Sequence, residues 1–240
     1  MLERDTAFGS GGGTAGLVDT EVEHDSLGLP LVRGRTLKGL LNEECANILY
    51  SLGEALRARP AALQPWQAAA GRLFGAPGSH GDAMAALTFG DGRLPNPIRE
   101  AVREAQRPSR DRLVLDPEMV LTSLTAVRRQ TALDRWGAPQ EGTLRALRVV
   151  LRQTIFEAPL LYRRTFSAQD PDGSAALADD LALLAACVRG WRRGGASRNR
   201  GLGKLRATLR DAQGADITDA QFGCFAMALT DPALTSPEEK

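Results

Sequence analysis

Residues 16–41 read GLVDTEVEHDSLGLPLVRGRTLKGLL, a stretch that predicts an extended segment, a turn and a helix in succession. Side chains of an extended chain alternate between its two faces, so one face of the first part would carry four carboxylates: Asp19, Glu21, Glu23 and Asp25. Gly and Pro within residues 27–30 indicate a turn. Basic side chains follow at once, namely Arg33, Arg35 and Lys38. The sequence thus places acids just ahead of a basic segment.

A helix is predicted from Thr36 onward, because apolar residues recur at three- and four-residue steps. These residues are Leu37, Leu40, Leu41, Cys45, Ile48, Leu49 and Leu52. Thr36 is a reasonable N-cap for this helix. The free N–H groups and the positive dipole end of a helix N-terminus attract phosphate, and Lys38 adds a charge in the first turn. An ordinary capped helix without a ligand is the alternative.

The rest of the chain predicts an α+β fold in which two helices cover an antiparallel sheet, as in ferredoxin-like folds. Working outward, the elements are a glycine-rich loop (6–16), an irregular insertion (53–84) around a short helical piece near Trp66 to Phe74, a strand (85–94), a short helix (97–106), a long hairpin (120–162), a helix (174–191) and a strand (204–210). The hairpin has arms rich in β-branched and apolar residues around a Gly/Pro tip at residues 134–142. We expect one domain over residues 1–240.

Composition narrows the class of protein. The chain has 240 residues, of which 43% are hydrophobic, and this is enough to build a sizeable core. No apolar run approaches the roughly 20 residues that span a bilayer, so we expect a cytoplasmic protein without a membrane partner. Three cysteines lie far apart in sequence, which favours buried or half-buried thiols over a zinc site.

Positive charge is concentrated although the net charge is only +1. Residues 189–210 contain eight Arg and Lys side chains and no acid, and a second basic cluster runs from Arg128 to Arg164, mostly within the predicted hairpin. Within the first cluster, residues 194–204 read GGASRNRGLGK. Glycines let main-chain N–H groups approach an anionic oxygen, while arginine offers phosphate two parallel hydrogen bonds. The alternative is a solvated surface turn.

Four motifs in this order resemble the RAMP (repeat-associated mysterious protein) superfamily, in particular the backbone subunits of type III CRISPR-Cas effector complexes. The motifs are GLVDTEVEHDSLGLPLVRGRTLKGLL, LTFGDGRLP, TAVRRQTALDRWGAPQEGTLRALRVV and GGASRNRGLGKL. The resemblance implies an RRM-like form of the ferredoxin fold, with a lid-like insertion at 53–84 and the hairpin at 120–162 as a thumb. It also implies that several such subunits stack along a guide RNA.

The resemblance implies RNA-binding residues in three places. The helix N-terminus and the glycine-rich loop would hold the guide backbone, and the thumb would insert at the guide–target duplex and displace a nucleotide at regular intervals. The implied residues are Arg33, Arg35, Thr36, Lys38, Arg128, Arg129, Gln130, Thr131, Trp136, Arg198, Arg200, Gly201, Gly203 and Lys204.

Asp19 matches the family's catalytic aspartate, in a pattern like G-x-(I/V)-D-x-x-V. The resemblance implies that it supports attack of a ribose 2′-OH on the adjacent phosphate of the target RNA, with a divalent cation such as Mg²⁺ that Asp19 helps to bind. Glu21 and Glu23 either share that cation or face solvent, and His24 is a candidate to protonate the leaving oxygen.

Two alternatives stay open. One is a purely structural RNA-binding subunit of the same assembly, since some RAMP proteins lack cleavage. The other is a metal-independent nuclease that processes guide RNA, a chemistry that usually relies on a histidine. Only His24 and His80 are available for it.

Overall fold

The computed structural model describes residues 1–9, 11–13, 18–75, 85–109, 113–164, 166 and 170–230, which fall into two compact units. The first unit consists of Met1–Gly34, Asp91–Pro159 and Arg193–Arg206. The second contains Arg35–Gly90, Leu160–Arg192 and the described part of Ala207–Lys240. Each unit has its own buried apolar cluster.

Helices and short strands alternate along the described chain, which confirms the predicted α+β class. The helices are α1 (Gly34–Ala55), α2 (Gln64–Phe74), α3 (Asn96–Ala105), α4 (Pro117–Leu124), α5 (Ser174–Gly190) and α6 (Thr218–Thr230). The strands are β1 (Leu87–Phe89), β2 (Thr125–Gln130), β3 (Arg145–Val150) and β4 (Leu160–Tyr162). Short 3₁₀ turns lie at Pro60–Leu63 and Arg198–Arg200. Among the described helices, none combines the length and apolar character that a bilayer crossing requires.

The described strands form two antiparallel pairs. In the first unit β2 pairs with β3, with Thr125 opposite Val150, and in the second unit β1 pairs with β4. Isolated backbone bridges add to β3 on its other edge, at Thr6 with Val150 and at Thr20 with Leu147. A continuous RRM-like sheet is not assigned in this part of the chain, so that topology stays a prediction.

Two small apolar clusters lie among the described residues of the first unit. One joins Ala7, Leu147 and Val149, and so packs the amino-terminal segment on β3. The other is built around Leu29, Leu94 and Val120. The turn before Leu29 needs glycine, because Gly28 has φ +80° and a Cβ there would lie 1.9 Å from the carbonyl oxygen of Pro117.

The second unit has the larger core, with α5 at its centre. Every residue from Ala182 to Val188 is buried, as expected for a helix that other elements cover on most of its faces. Cys45 of α1 is buried in the same cluster, while the rings of Trp66 and Phe225 pack with centroids 4.7 Å apart. Cys45 and Cys187 are thus buried as predicted, whereas Cys224 is exposed.

A buried polar network lies within this core. Asp180 is fully buried and accepts hydrogen bonds from Arg72 Nε at 3.0 Å and from the Tyr162 hydroxyl at 2.7 Å. Burial raises the pKa of Asp180, and the bonds from Arg72 and Tyr162 act against that rise. Both carboxylate oxygens have partners, as a buried polar group requires.

Helices α1, α3 and α5 confirm the predicted ones, and α2 confirms the short helical piece predicted near Trp66 to Phe74 within the region 53–84. Its residues 64–74 form α2, which buries Trp66, Ala69, Leu73 and Phe74. Pro65 suggested irregular structure, yet it lies in the first turn of α2, where proline costs no hydrogen bond. Residues 76–84 lie outside the described part, so the lid-like role stays a prediction.

The hairpin is shorter than the predicted range 120–162. Residues up to Leu124 belong to α4, whose N-cap Asp116 accepts a hydrogen bond from Met119 N at 2.7 Å. At the other end, Leu160–Tyr162 pairs with β1 rather than with β2. The predicted strand at 204–210 is also absent: its described residues make isolated bridges instead. Apolar content predicted extended structure here, but long-range partners decided the bounds.

Candidate functional site

We call residues 18–25 the acidic segment. Of its four acids, Asp19 is the exposed one. Asp19 Oδ2 accepts a hydrogen bond from Ala146 N at 2.7 Å, and Asp19 N donates to Ala146 O at 2.8 Å. This pair of bonds fixes the aspartate to the beginning of strand β3. Gly16 and Leu17, which precede it in the family-like pattern, lie outside the described residues.

Glu21 forms a half-buried ion pair with strand β3. Its Oε1 lies 2.7 Å from Arg148 Nε, and the Arg148 side chain is 7% exposed. Arg148 Nη1 also donates to Thr125 Oγ1 of β2 at 3.2 Å. One buried guanidinium therefore ties the acidic segment to both strands of the hairpin.

The two remaining acids of the segment also serve the fold. Glu23 Oε2 lies 2.9 Å from Arg33 Nη2. Asp25 Oδ1 accepts from Leu27 N at 3.0 Å and from Leu29 N at 3.1 Å, and so holds the turn. Glu21 and Glu23 thus pair with arginines instead of facing solvent as one ladder.

The residues around Asp19 bear on whether it could bind Mg²⁺. Within the described residues there is no cluster of three or more acidic, His or Cys side chains that could hold a metal ion. Mg²⁺ in nucleic-acid enzymes is typically held by one or two carboxylates together with phosphate oxygens and water. Asp19 has one carboxylate oxygen bonded to Ala146 N, which leaves Oδ1 for a cation. The site fits Mg²⁺ only if a bound polynucleotide supplies further oxygens.

The structure describes one of the two histidines of the sequence. His24 is exposed, and its Nδ1 lies 3.1 Å from the carbonyl oxygen of Asp25. His80 lies outside the described residues.

The amino-terminal end of α1 is capped by a residue far away in sequence. Asp91 Oδ1 accepts a hydrogen bond from Gly34 N at 2.9 Å, and Asp91 Oδ2 lies 3.6 Å from Arg33 Nη1. Because α1 begins at Gly34, Thr36 lies inside the first turn and is not the N-cap. The hydrogen bond to Glu23 raises the pKa of Arg33, with Asp91 adding to the effect. Part of the positive end of the helix is therefore already neutralised.

The predicted residues beyond this cap belong to the second unit. Arg35 and Thr36 are exposed, and Lys38 is half-buried. Arg35 and Lys38 make no ion pair among the described residues, so both cations are available for a ligand.

The glycine-rich loop, residues 194–204, turns back on itself. Gly203 has φ +79°, and a Cβ there would lie 2.2 Å from the carbonyl oxygen of Gly194. Gly203 N also donates to Asp5 O at 2.9 Å, and Gly194 N donates to Gly203 O at 2.9 Å. The glycines therefore let the backbone approach the protein's own carbonyls, and the predicted approach to a phosphate oxygen stays a prediction.

The loop's basic side chains differ in their partners. Lys204 Nζ lies 2.8 Å from Glu3 Oε2. Arg200 is exposed, and its Nη1 donates to Gln130 Oε1 of β2 at 3.4 Å. Arg198 O accepts from Arg193 Nη1 at 3.1 Å, and Gly201 at the loop's apex has φ +82° with open space around it. The bond from Arg200 joins the loop to the hairpin.

The hairpin itself presents the other predicted residues. Arg128 Nη2 lies 2.6 Å from Asp5 Oδ2, whereas Arg129 is exposed without an ion pair in the described part of the chain. Thr131 Oγ1 lies 3.0 Å from Thr143 Oγ1 and closes the arms beyond the strands. Trp136 at the tip is 78% exposed, with the Arg135 guanidinium 4.7 Å from its ring centroid.

Sequence reasoning missed the residues that position these groups. Arg148 lies between Leu147 and the apolar pair Val149 and Val150, and a charge flanked by apolar residues in a strand is a signal of a buried ion pair. Asp91 lies in a Gly-Asp-Gly turn, which gave no sign of the helix that it caps.

The family model of the RAMP superfamily matches residues 5–206. This chain belongs to the RAMP superfamily. The matched range includes Asp19, the hairpin and the glycine-rich loop, so each of these belongs to the RAMP fold. No curated protein matches the sequence.

Solved structures of low sequence identity resemble this RAMP protein. A chain of the type III-B Cmr-beta complex bound to cognate target RNA matches with a TM-score of 0.50 and 15% identity, over 85% of this chain and 94% of that one. A chain of the same complex in its apo state matches with a TM-score of 0.49 and 15% identity, over 85% and 93%. The match to the chain from the target-bound complex supports a Cmr-like fold over most of the protein.

Proposed function

We propose that this RAMP protein is a backbone subunit of a type III CRISPR effector, which binds guide RNA and cuts complementary target RNA at regular intervals with Asp19. Family membership and the Cmr-like fold support the place in such an assembly, and the chain with the higher TM-score belongs to a complex bound to cognate target RNA. The partners are then guide RNA, target RNA and neighbouring RAMP subunits. The RRM-like arrangement and the thumb role of the β2–β3 hairpin are part of this proposal.

The observation that carries the proposal is the contrast between Asp19 and its neighbours. Glu21, Glu23 and Asp25 are used by ion pairs and a turn, whereas Asp19 is exposed with Oδ1 making no hydrogen bond to the described residues. An exposed carboxylate held by backbone bonds on a rigid strand is placed as a catalytic group needs to be.

The chemistry follows from what a fixed carboxylate can do to an RNA strand. Asp19 takes the proton of a ribose 2′-OH, whose oxygen bonds to the adjacent phosphorus while the bond to the 5′ oxygen breaks and that oxygen gains a proton from water. When bound, Mg²⁺ would be held by Asp19 and RNA oxygens, and would offset the repulsion between carboxylate and phosphate. Because Asp19 is bonded to β3, the hairpin that distorts the target also sets the position of Asp19, the general base.

Guide binding is assigned to the basic side chains of the helix N-terminus and the glycine-rich loop. Arg35, Lys38 and Arg200 make no ion pair in the described residues and are available to phosphate. Arg33 and Lys204 must exchange a carboxylate for a phosphate, which reduces their contribution. The helix N-terminus also offers Thr36 to the guide, and the loop offers Arg198, Gly201 and Gly203. The thumb contacts RNA through Arg128, Arg129, Gln130, Thr131 and Trp136.

One observation favours the cleavage-inactive alternative. Asp19 makes two backbone hydrogen bonds with Ala146, and these alone would justify an aspartate as a structural fastener of the acidic segment. In that case the protein binds RNA and cuts nothing.

The deciding experiment assembles the complex on guide RNA and adds complementary target RNA with Mg²⁺. We expect regularly spaced cuts that EDTA abolishes and that Asp19→Ala slows at least about 100-fold, since a general base typically contributes 10²–10⁴-fold. Target binding should persist in Asp19→Ala, measured by filter binding. Glu118→Gln, an exposed acid on α4, is the matched control and should cut at the wild-type rate.

Each alternative predicts a different result. No cutting by the wild type, with target RNA bound, supports the structural subunit. Cutting of an unprocessed guide RNA that survives EDTA but is lost in His24→Ala supports the metal-independent nuclease. Wild-type cutting by Asp19→Ala would move the active site to another residue.

A further inference from the structure

A groove of about 500 Å³ lies between the amino-terminal segment, the residues after β3 and the glycine-rich loop of the first unit. We call it the arginine groove, and its polar lining consists of Arg4, Asp5, Arg128, Arg152, Gln153 and Gly201. Leu151 and Leu202 complete the lining. The volume falls within the roughly 300–1,000 Å³ of small-ligand sites. Of these residues, the resemblance implied a role only for Arg128 and Gly201.

Charge in the groove is unbalanced. Three guanidinium groups face a single carboxylate, that of Asp5. Asp5 Oδ2 accepts from Arg128 Nη2 at 2.6 Å and Nε at 3.2 Å, and Asp5 Oδ1 accepts from Arg152 N at 3.0 Å. Arg4 and Arg152 make no ion pair within 4.0 Å in the described part of the chain. With Asp5 ionised, two positive charges in the groove are not balanced.

Asp5 remains ionised at neutral pH. Its partial burial opposes ionisation, but the hydrogen bonds from Arg128 and from the Arg152 backbone outweigh it and hold the pKa of Asp5 below its ordinary value. The carboxylate therefore fixes Arg128 in place, and the two Asp5 contacts on Arg128 leave the remaining guanidinium donors free for a ligand.

Two backbone features shape the groove. Gln153 has φ +69°, a conformation that residues with a Cβ rarely adopt and that glycine would adopt without cost. A long amide side chain is nevertheless present, and it lines the groove. Across from it Gly201 leaves open space at the loop's apex, where nothing would meet an added Cβ within 4 Å.

We propose that the arginine groove binds a phosphodiester of an RNA strand through Arg4, Arg128 and Arg152, with Gln153 as a polar contact beside it. Arginine suits this ligand because its planar fork donates two parallel hydrogen bonds to phosphate oxygens. The groove adjoins Gly201 of the guide-binding loop, so a strand held by that loop can continue into it. The inference rests on the proposed function, because it needs RNA to reach this unit.

The first test locates the contact in the wild-type full-length chain. Phenylglyoxal modifies accessible arginine side chains, and mass spectrometry of peptides reports which ones. A single-stranded RNA oligonucleotide should protect Arg4 and Arg152, whereas Arg103, exposed on α3 of the same unit, should stay reactive. Equal modification of Arg4 and Arg152 with and without RNA would overturn the proposal.

The same protection measurement with other anions identifies which class of anion the groove binds. Inorganic phosphate and a glutamate-rich peptide replace the RNA in parallel samples. Protection by RNA at concentrations where these two give none supports a phosphodiester strand. Protection by the acidic peptide as strong as that by RNA, or by inorganic phosphate alone, would overturn the assignment to RNA.

The second test measures the salt dependence of RNA binding. Each phosphate contact on a single strand contributes about 0.7 to the slope of log K against log salt. The double variant Arg4→Ala, Arg152→Ala should lower that slope by about 0.7 and weaken binding, and Arg103→Ala should leave both unchanged. Lysine at both positions should restore the slope, because lysine keeps the charge.

The outcomes separate this inference from the proposed function. If Arg200→Ala weakens RNA binding while the Arg4 and Arg152 variant keeps the wild-type slope, the groove proposal fails alone. If the wild-type chain, and the complex assembled from it, bind no RNA, both proposals fail together.

Discussion

The acidic segment and the arginine groove use their charges in opposite ways. In the acidic segment Glu21 and Glu23 pair with arginines and Asp25 holds a turn, whereas Asp19 is exposed and is held by the backbone of Ala146. In the arginine groove one carboxylate faces three guanidinium groups, so two cations stay unbalanced. The partners of a charged side chain, not the number of charges in a stretch, thus decide whether the stretch is available for a ligand.

The largest effect on stability is expected where a charge is most deeply buried. Arg148→Met leaves Glu21 half-buried without its cation and Thr125 without a donor. Breaking a buried ion pair by removing one partner typically costs 3–5 kcal/mol, and we expect about 3 kcal/mol less free energy of unfolding because Glu21 keeps some solvent contact. Urea denaturation measures this loss in the free energy of unfolding.

Arg129→Met is the matched control for Arg148→Met. Arg129 lies on the adjacent strand but is exposed, so its loss should change stability by less than about 0.5 kcal/mol. If Arg148→Met costs no more than this control, the acidic segment is not fastened by its ion pairs and the comparison between the two regions fails.

A smaller effect is expected in the glycine-rich loop beside the groove. Gly203→Ala combines φ +79° with a Cβ placed 2.2 Å from Gly194 O, whereas Gly201→Ala has φ +82° and open space. Both carry the cost of a left-handed residue, about 1 kcal/mol, and only Gly203→Ala adds a clash, which brings it to about 2 kcal/mol. Thermal or urea unfolding of the two variants isolates the clash. Equal losses would mean that the loop relaxes freely.

The smallest effect concerns Asp5, the single acid of the groove, and it depends on pH. The pKa of Asp5 is lowered in the folded protein, so the unfolded chain binds the proton first as pH falls. Its stabilisation is complete above about pH 5 and is lost as pH falls through the lowered pKa.

Asp5→Asn should therefore cost about 1 kcal/mol at pH 7 and little below pH 3, because the wild-type carboxylate is then protonating as well. Urea denaturation at a series of pH values follows the difference between the two proteins. A difference that is constant from pH 7 to pH 3 would show that charge at Asp5 is not what stabilises the groove. The same variant should strengthen RNA binding in the groove, since it removes the only negative charge there.

Local pattern was enough for several elements of the fold. The apolar spacing after Thr36 predicted α1, and similar spacing predicted α3 and α5. The Gly/Pro tip between β-branched arms predicted a hairpin, though not its ends. Glycines in residues 194–204 predicted a turn, and Gly203 lies there with φ +79° beside the carbonyl oxygen of Gly194. These features depend on contacts within a few residues, and local sequence specifies such contacts.

The candidate site was harder to predict, because its pairs are distant in sequence. Arg128 and Asp5 are separated by 123 positions, and Arg148 and Glu21 by 127. Four alternating carboxylates indicated one shared face, but no local rule states that an arginine far along the chain will engage each in turn. The concentration of basic residues is visible in the sequence, while the division into paired and free cations was not predictable.

The sequence by itself determined which chemistry is present. It contains a family-typical aspartate, a glycine-rich basic loop and a hairpin, with many arginines in the loop and the hairpin. Tertiary structure alone decided which of these groups are free, since it brings Glu21 to Arg148, Glu23 to Arg33 and Asp91 to the start of α1, and leaves Asp19, Arg4 and Arg152 without such partners. The physical reason is that a charge is neutralised by the nearest opposite charge in space, and that distance is set by folding rather than by position in the chain.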